Sequence, residues 1–323
     1  MRQAMMAAEC GDDVFGEDPS VNQLEASAAQ LFQREAALFC PSGTMANQIA
    51  IKVHTRPGDE VICDENSHVF FYEGGGIAFN AGAQVRTVRG DRGRITAAQV
   101  EPLINPDDVH RARTRLVCVE NTANRGGGSC YQPGILPELR DLCRQRGLAF
   151  HLDGARLWNA LIARGETAAE YGALFDSISV CLSKGLGAPV GSLLIGDAAF
   201  IREARRVRKV LGGGMRQAGV LAAAGLYAME HQFQRLADDH RNALQLAEAL
   251  RSNPHVTELM PVETNIVIAA VKAPHDAASF TAVLREKGIG VLPMAADRVR
   301  FVTHLDITPE MMAYTLEQIR TMK

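Results

Sequence analysis

Lys184 lies in Ser177-Ile178-Ser179-Val180-Cys181-Leu182-Ser183-Lys184-Gly185-Leu186-Gly187-Ala188-Pro189, a β-rich apolar run ending in a single lysine. A hydroxyl residue precedes that lysine and two glycines follow it closely. An amine held at a strand end, against backbone bare of side chains, can form a Schiff base with a carbonyl cofactor. Alone, the run would also suit a surface lysine in a turn. The balance shifts 31 positions upstream, at Leu148-Ala149-Phe150-His151-Leu152-Asp153-Gly154-Ala155-Arg156. There another apolar strand ends in a carboxylate, followed by Gly and Arg. Pyridoxal phosphate needs both a lysine for its aldehyde and an acid facing its ring nitrogen, so the two motifs read together as one cofactor site.

Other residues could complete such a site. In Pro41-Ser42-Gly43-Thr44-Met45-Ala46-Asn47, small residues open a helix and leave N–H groups and a hydroxyl free for phosphate. A Ser cap with a turn glycine has the same spelling, and no Walker lysine is present. His68, between Asp64-Glu65-Asn66-Ser67 and Val69-Phe70-Phe71-Tyr72, could stack on a flat ring or exchange protons; a structural histidine at a helix entry is the alternative. Asp153 would keep a pyridine nitrogen protonated, and Arg156 would offer a guanidinium to a phenolic oxygen or a carboxylate. An Asp cap and a solvent-facing Arg would look alike. Lys209 and Arg216 flank Gly212-Gly213-Gly214 and suit a phosphate, or else are solvated charges around a capped helix. Arg300, on the alternating run Arg298-Val299-Arg300-Phe301-Val302-Thr303-His304, is a candidate for an α-carboxylate or a solvent-facing strand residue.

The elements that must position these residues alternate between strand and helix from about 21 to 195. Strands are predicted at Ala36–Cys40, Glu60–Asp64, Gln84–Val88, Arg115–Glu120, Leu148–Asp153, Ser177–Leu182 and Val190–Ile195. Helices are predicted at Val21–Phe32, Thr44–His54, Glu138–Gln145 and Leu157–Ala163. Such alternation implies an α/β fold with a mostly parallel sheet, whose ligands collect at strand C-termini. Ser42-Gly43-Thr44, Glu120-Asn121, Asp153 and Lys184 all fall there. Beyond Ile195 the pattern predicts helix over Ala198–Val210 and Arg216–Leu250, then a smaller α+β unit. That unit has strands Ile266–Val271 and Arg298–Thr303, a helix Ala277–Lys287 and a last helix capped by Thr308-Pro309-Glu310. The division is an arm over 1–20, a large domain over 21–232 and a small domain over 233–323.

With 323 residues, 47% hydrophobic and 22% charged, the chain has the size and composition of a two-unit soluble protein. A formal charge of −3 offers no global attraction to nucleic acid or anionic membrane. Seven scattered cysteines without a CxxC pair predict neither disulfide framework nor zinc site, and fit a reducing cytoplasm. No metal is expected. Neither a signal-peptide pattern nor a bilayer-length apolar run is present.

Taken together, several segments resemble the threonine aldolase family of fold-type-I pyridoxal phosphate enzymes. They are Gly11-Asp12-Asp13-Val14-Phe15-Gly16-Glu17-Asp18-Pro19, the Ser42–Asn47 run, Leu152–Arg156, Leu182–Gly191, Gly212–Gly219 and Val302-Thr303-His304-Leu305-Asp306. The resemblance implies an aspartate-aminotransferase-like large domain, a smaller C-terminal domain, and a homotetramer with sites shared between subunits. Lys184 would bond the cofactor, Asp153 would face its ring nitrogen and His68 would stack on the ring. Ser42, Gly43 and Thr44 would hold the phosphate, with Lys209 and Arg216 reaching from a neighbour. Arg156 and Arg300 would bind the substrate carboxylate. The implied reaction is retro-aldol cleavage of L-threonine, L-allo-threonine and related β-hydroxy-α-amino acids to glycine and an aldehyde.

Three departures stand out. The chain opens where the family follows a short segment Leu-Arg-Ser-Asp-Thr-Val-Thr, whose serine helps hold the carboxylate. Ala123 occupies the place of a histidine in a common Glu-Asn-Thr-His-Asn run, which leaves His68 as the main histidine for hydroxyl activation. Phe15 replaces a tyrosine. Elimination or racemisation on the same scaffold, or a cofactor-binding protein with impaired catalysis, are the alternatives.

Overall fold

The structure is a computed structural model that describes residues 1–322. Its strands in chain order are β1 Ala36–Cys40, β2 Asp59–Asp64, β3 Gln84–Val88, β4 Arg113–Glu120, β5 Ala149–Gly154, β6 Ser177–Cys181, β7 Ser192–Gly196, β8 Val256–Leu259, β9 Ile266–Val271, β10 Leu292–Ala295 and β11 Arg298–Val302. The first seven form one sheet in the order β1-β7-β6-β5-β4-β2-β3. Only β7 runs against its neighbours; the other strands are mutually parallel. β2, β6 and β7 are buried at every residue, as befits strands covered on both faces.

Because six strands point the same way, their C-terminal ends share one edge. From β1 across β6, β5 and β4 to β2, that edge carries Ser42–Thr44, Lys184, Asp153, Glu120 and His68. The register Asp153↔Ser179 and Gly154↔Val180 sets the acid directly beside the strand that leads to the lysine. Trp158 Nε1 donates to the Cys181 carbonyl at 3.0 Å and pins that strand end.

The remaining strands form an antiparallel sheet ordered β10-β11-β9-β8, with its own core including Val267, Phe280, Leu284 and Phe301. β8 and β10, absent from the sequence reading, are short and largely exposed edge strands, so no apolar alternation marks them. Pro293 lies in β10, where an edge tolerates it. Glu263 ties this unit to the first: its carboxylate accepts from Arg92 and Arg164 at 2.8 Å and from the Cys130 N–H at 3.1 Å.

The helices that the sequence predicted match to within a few residues, with one correction, and short helices such as Ala168–Leu174 were not predicted. The expected helix Arg216–Leu250 is two helices, Gly219–His231 and Leu236–Arg251. The first packs on helix Pro19–Leu31, the second on β8 and β9, so the chain turns where it passes between the two sheets. Asp18 explains part of the first motif. Buried completely, it accepts from Val21 N–H at 3.0 Å and from Gly219 N–H at 2.8 Å, capping two helix starts at once. All seven cysteines are free thiols; in β1 and β2, burial pushes Cys40 and Cys63 up to about 12. Among the described residues no helix is long and apolar enough to cross a membrane.

Candidate active site

Helix Gly43–His54 spans the two halves of the site. Ser42 caps it, its Oγ accepting from Met45 N–H at 3.1 Å, so the cap reading of this motif is correct. The cap leaves the N–H groups of Gly43 and Thr44 without an intrahelical acceptor, beside the exposed Thr44 hydroxyl. A Cβ on Gly43 would come within 2.7 Å of Cys181 Sγ, so only glycine lets this helix start lie against the end of β6. One turn on, Asn47 Nδ2 donates to Asp153 Oδ2 at 3.0 Å and to Glu73 Oε1 at 2.9 Å. A single helix thus links the free N–H groups at its start to the acid at the end of β5.

His68 begins the short helix His68–Phe71, as the sequence suggests. Its Nδ1 lies 2.9 Å from Glu73 Oε1, and its backbone N–H donates to Glu120 Oε2 at 3.0 Å. Polar atoms of His68, Glu73 and Asp153 lie within 4.8 Å of one another. The Glu73 hydrogen bond holds the imidazole above its usual range, aided by the charges of Asp153, Glu73 and Glu120 and opposed by burial. Burial and the Asp153 charge push Glu120 up to about 7, against the pull of two backbone N–H groups and His68. Glu120 Oε1 accepts from Asn124 N–H at 2.9 Å, so this one carboxylate clamps the loops carrying His68 and Asn124.

The cations are placed differently. Lys184 and Arg156 are partly buried and have no side-chain hydrogen-bond partner among the described residues. Burial pushes Arg156 down, and the Glu120 charge opposes that shift. Arg300 reaches from β11 to Asn124, donating from Nη1 to Oδ1 at 2.7 Å, while its buried Nε has no partner. Lys209 is exposed. Arg216 is engaged by Asp12, with Nε to Oδ2 at 2.8 Å, and its guanidinium lies 5.7 Å from the centre of the exposed Phe15 ring. A Cβ on Gly213 would come within 2.2 Å of Met45 Sδ, so the glycine run packs on the first turn of the Gly43–His54 helix.

This arrangement fits pyridoxal phosphate on its chemistry. Glu73, Glu120 and Asp153 are 7%, 4% and 1% exposed, a concentration of buried acid with room in its charge balance for a ring cation. Free N–H groups and an unpartnered amine stand at the other end of the same edge. Sequence reasoning missed Glu73, gave Asn47 no role and left Asn124 unread. Glu73 opens the glycine-rich run Glu73-Gly74-Gly75-Gly76, where no periodicity signals a buried side chain. For His151 and Ser177 a signal existed: polar residues two apart in buried strands, as in His151/Asp153 and Ser177/Ser179, share one face. Ala123 is buried beneath the turn at Gly93, where an added Cβ would approach Ala123 Cβ to 2.7 Å.

Residues 1–274 match the family model described as beta-eliminating lyase. The low specificity L-threonine aldolase of Escherichia coli K12 is 43% identical over 314 residues, covering 97% of this chain and 92% of that protein. Low-specificity L-threonine aldolase 1 of Arabidopsis thaliana is 40% identical over 326 residues, with 98% and 90% covered. The solved threonine aldolase of Leishmania major superposes with a TM-score of 0.84 at 23% identity, covering 99% of this chain and 93% of that one, and so shares its fold. The chain belongs to the beta-eliminating lyase family and, within it, to the low-specificity L-threonine aldolases.

Proposed function

We propose that this chain cleaves L-threonine, L-allo-threonine and related β-hydroxy-α-amino acids to glycine and an aldehyde, with pyridoxal phosphate held along the carboxyl edge of the large sheet. The observation that carries the reading is the meeting of Asp153, His68 and Glu73 beside the strand that leads to Lys184. When bound, the cofactor supplies an aldehyde for amines and an electron sink for the carbanion left at Cα.

The protein residues do the rest. Gly43 and Thr44 N–H groups and the Ser42–Thr44 hydroxyls would hold the phosphate, and Asp153 would hold the ring nitrogen protonated. Lys184 would hold the cofactor's aldehyde through its amine. Arg156 and Arg300 orient the substrate carboxylate; Asn124 steadies Arg300 for that task. His68 Nδ1 is committed to Glu73, so Nε2 is the atom free to take the β-hydroxyl proton, directly or through a water. Lys209 and Arg216 reach the phosphate of a neighbouring subunit in a homotetramer, for which Arg216 would exchange its Asp12 contact. Free thiols throughout support a reducing, cytoplasmic setting. The division is an arm at 1–20, a large domain at 21–232 and a small one at 233–323; a separate core from Ala243 onward supports a distinct C-terminal unit, although Leu236 still packs in the large core.

Product analysis with purified protein, pyridoxal phosphate and both threonine diastereomers tests the reading. Glycine with acetaldehyde is expected. Ammonia with a keto acid would instead establish elimination, the chemistry in the family's description.

A further inference from the structure

We infer that His54, Ser177, His151 and Asn47 form a one-way chain of hydrogen-bond donors that fixes the Asp153 carboxylate from behind, making all four positioning residues for the group Asp153 faces. The chain runs from a partly exposed histidine to the acid through side chains that are 1% (Ser177), 0% (His151) and 2% (Asn47) exposed.

Each proton in it follows from its neighbours. Asn47 Nδ2 points at two carboxylate oxygens, of Asp153 and Glu73, so the opposite atom is the carbonyl oxygen. That oxygen faces His151 Nε2 at 3.2 Å and Ser179 Oγ at 2.6 Å; a carbonyl cannot donate, so both must donate to it. Burial pushes His151 down to about 3, so the ring is neutral at pH 7 and carries only that Nε2 proton. His151 Nδ1 is therefore an acceptor, and the Ser177 hydroxyl, 2.8 Å away, donates to it. Having spent its proton, Ser177 Oγ accepts from His54 Nε2 at 2.7 Å. His54 is likewise neutral, pushed down to about 4 by burial, and its ring stacks on Phe200 at 4.7 Å.

The other Asp153 oxygen accepts from Ala155 N–H at 3.1 Å. The carboxylate is thus gripped at both oxygens and cannot rotate, while Oδ2 keeps a lone pair for a ligand. A chain of aligned donors also polarises along its length, which strengthens the last bond to the acid. The consequence for cofactor retention rests on the functional reading above; the direction of the chain does not.

Nitrogen-15 NMR of histidine-labelled full-length protein, with and without pyridoxal phosphate, reads the direction. Neutral rings protonated at Nε2 are expected at both 54 and 151. A Nδ1–H tautomer or a charged ring at 151 at pH 7 would overturn the proposal. The second arm compares His151→Leu, which removes the donor to Asn47, with His151→Gln, whose amide nitrogen can replace it. The dissociation constant of pyridoxal phosphate should rise about tenfold in the Leu variant, the upper end of what one hydrogen bond between neutral groups contributes (about 1.4 kcal/mol). The Gln variant should stay within about threefold of the parent. Equal binding by both variants, whether parental or weakened, would reduce His151 to packing and defeat the proposal. Wild-type protein that takes up no pyridoxal phosphate would sink the functional reading instead, and the tautomers would still decide the chain.

Discussion

The two ends of the site are built on opposite plans. The acid end is saturated: Asn47 uses both amide hydrogens and its carbonyl oxygen, Glu73 receives Asn47, Gln48 and His68, and Glu120 receives two backbone N–H groups. The basic end is left open, with Lys184, Arg156 and the Arg300 Nε without partners among the described residues. Buried carboxylates that must keep one orientation are braced by protein, since an unbraced one would cost several kcal/mol (~3–5). Cations meant for a ligand stay unpaired, because each internal bond would have to be broken on binding. Preorganised acid and available base are what an anionic, ring-cationic guest requires.

That contrast can be broken at either end. Lys184→Ala should have the largest effect, abolishing turnover and the visible absorbance of the lysine-bound cofactor; a retained spectrum would place the amine elsewhere. His68→Asn should keep the cofactor and reduce cleavage of both threonine diastereomers about a hundredfold, the scale of general base loss. Unchanged turnover would move the base to another group.

Glu73→Gln sharpens the acid end. Glu73 raises the His68 pKa, so a base at His68 is unmasked only as pH rises through that raised value. Without the carboxylate the value falls, and the acid limb of kcat/KM against pH should move to lower pH. The same linkage gives stability that is full below the free-histidine value of about 6.5 and is lost as pH rises through the folded one. Thermal melts across that window should show the loss in the parent and less of it in the variant.

Smaller effects belong to the open end. Arg300→Lys should raise KM about tenfold with kcat nearly constant, the mark of binding shared by ground and transition states. A fall in kcat alone would deny Arg300 the carboxylate. Ser42→Ala should cost about 1 kcal/mol of stability, through the lost cap on the Gly43–His54 helix. It should also weaken pyridoxal phosphate binding, and an unchanged cofactor affinity would confine the Ser42 hydroxyl to the cap.

How much was readable beforehand differs between the same two ends. Lys184, Asp153, His68 and Ser42–Thr44 each follow an apolar β-rich run, and local pattern sufficed to place them at strand ends. In a parallel sheet strand ends share an edge, so the local reading already grouped these residues along one edge. The braces were not readable. Asn47 meets Asp153 from 106 residues away, and Asn124 meets Arg300 from 176. Nothing in a glycine-rich loop announces that Glu73 turns inward. The break at 232–235 in the long helical stretch was hidden for the same reason: both halves are good helix, and only their separate docking partners force the turn.

The sequence by itself determined the candidate reactive groups, their strand-end positions, the alternation that makes a mostly parallel sheet, and the family to which those motifs belong. Tertiary structure alone decided which groups are braced and which are left free. Hydrogen bonds between residues a hundred positions apart depend on how strands are ordered and how helices cross them, and neither is encoded in the spacing of any one segment.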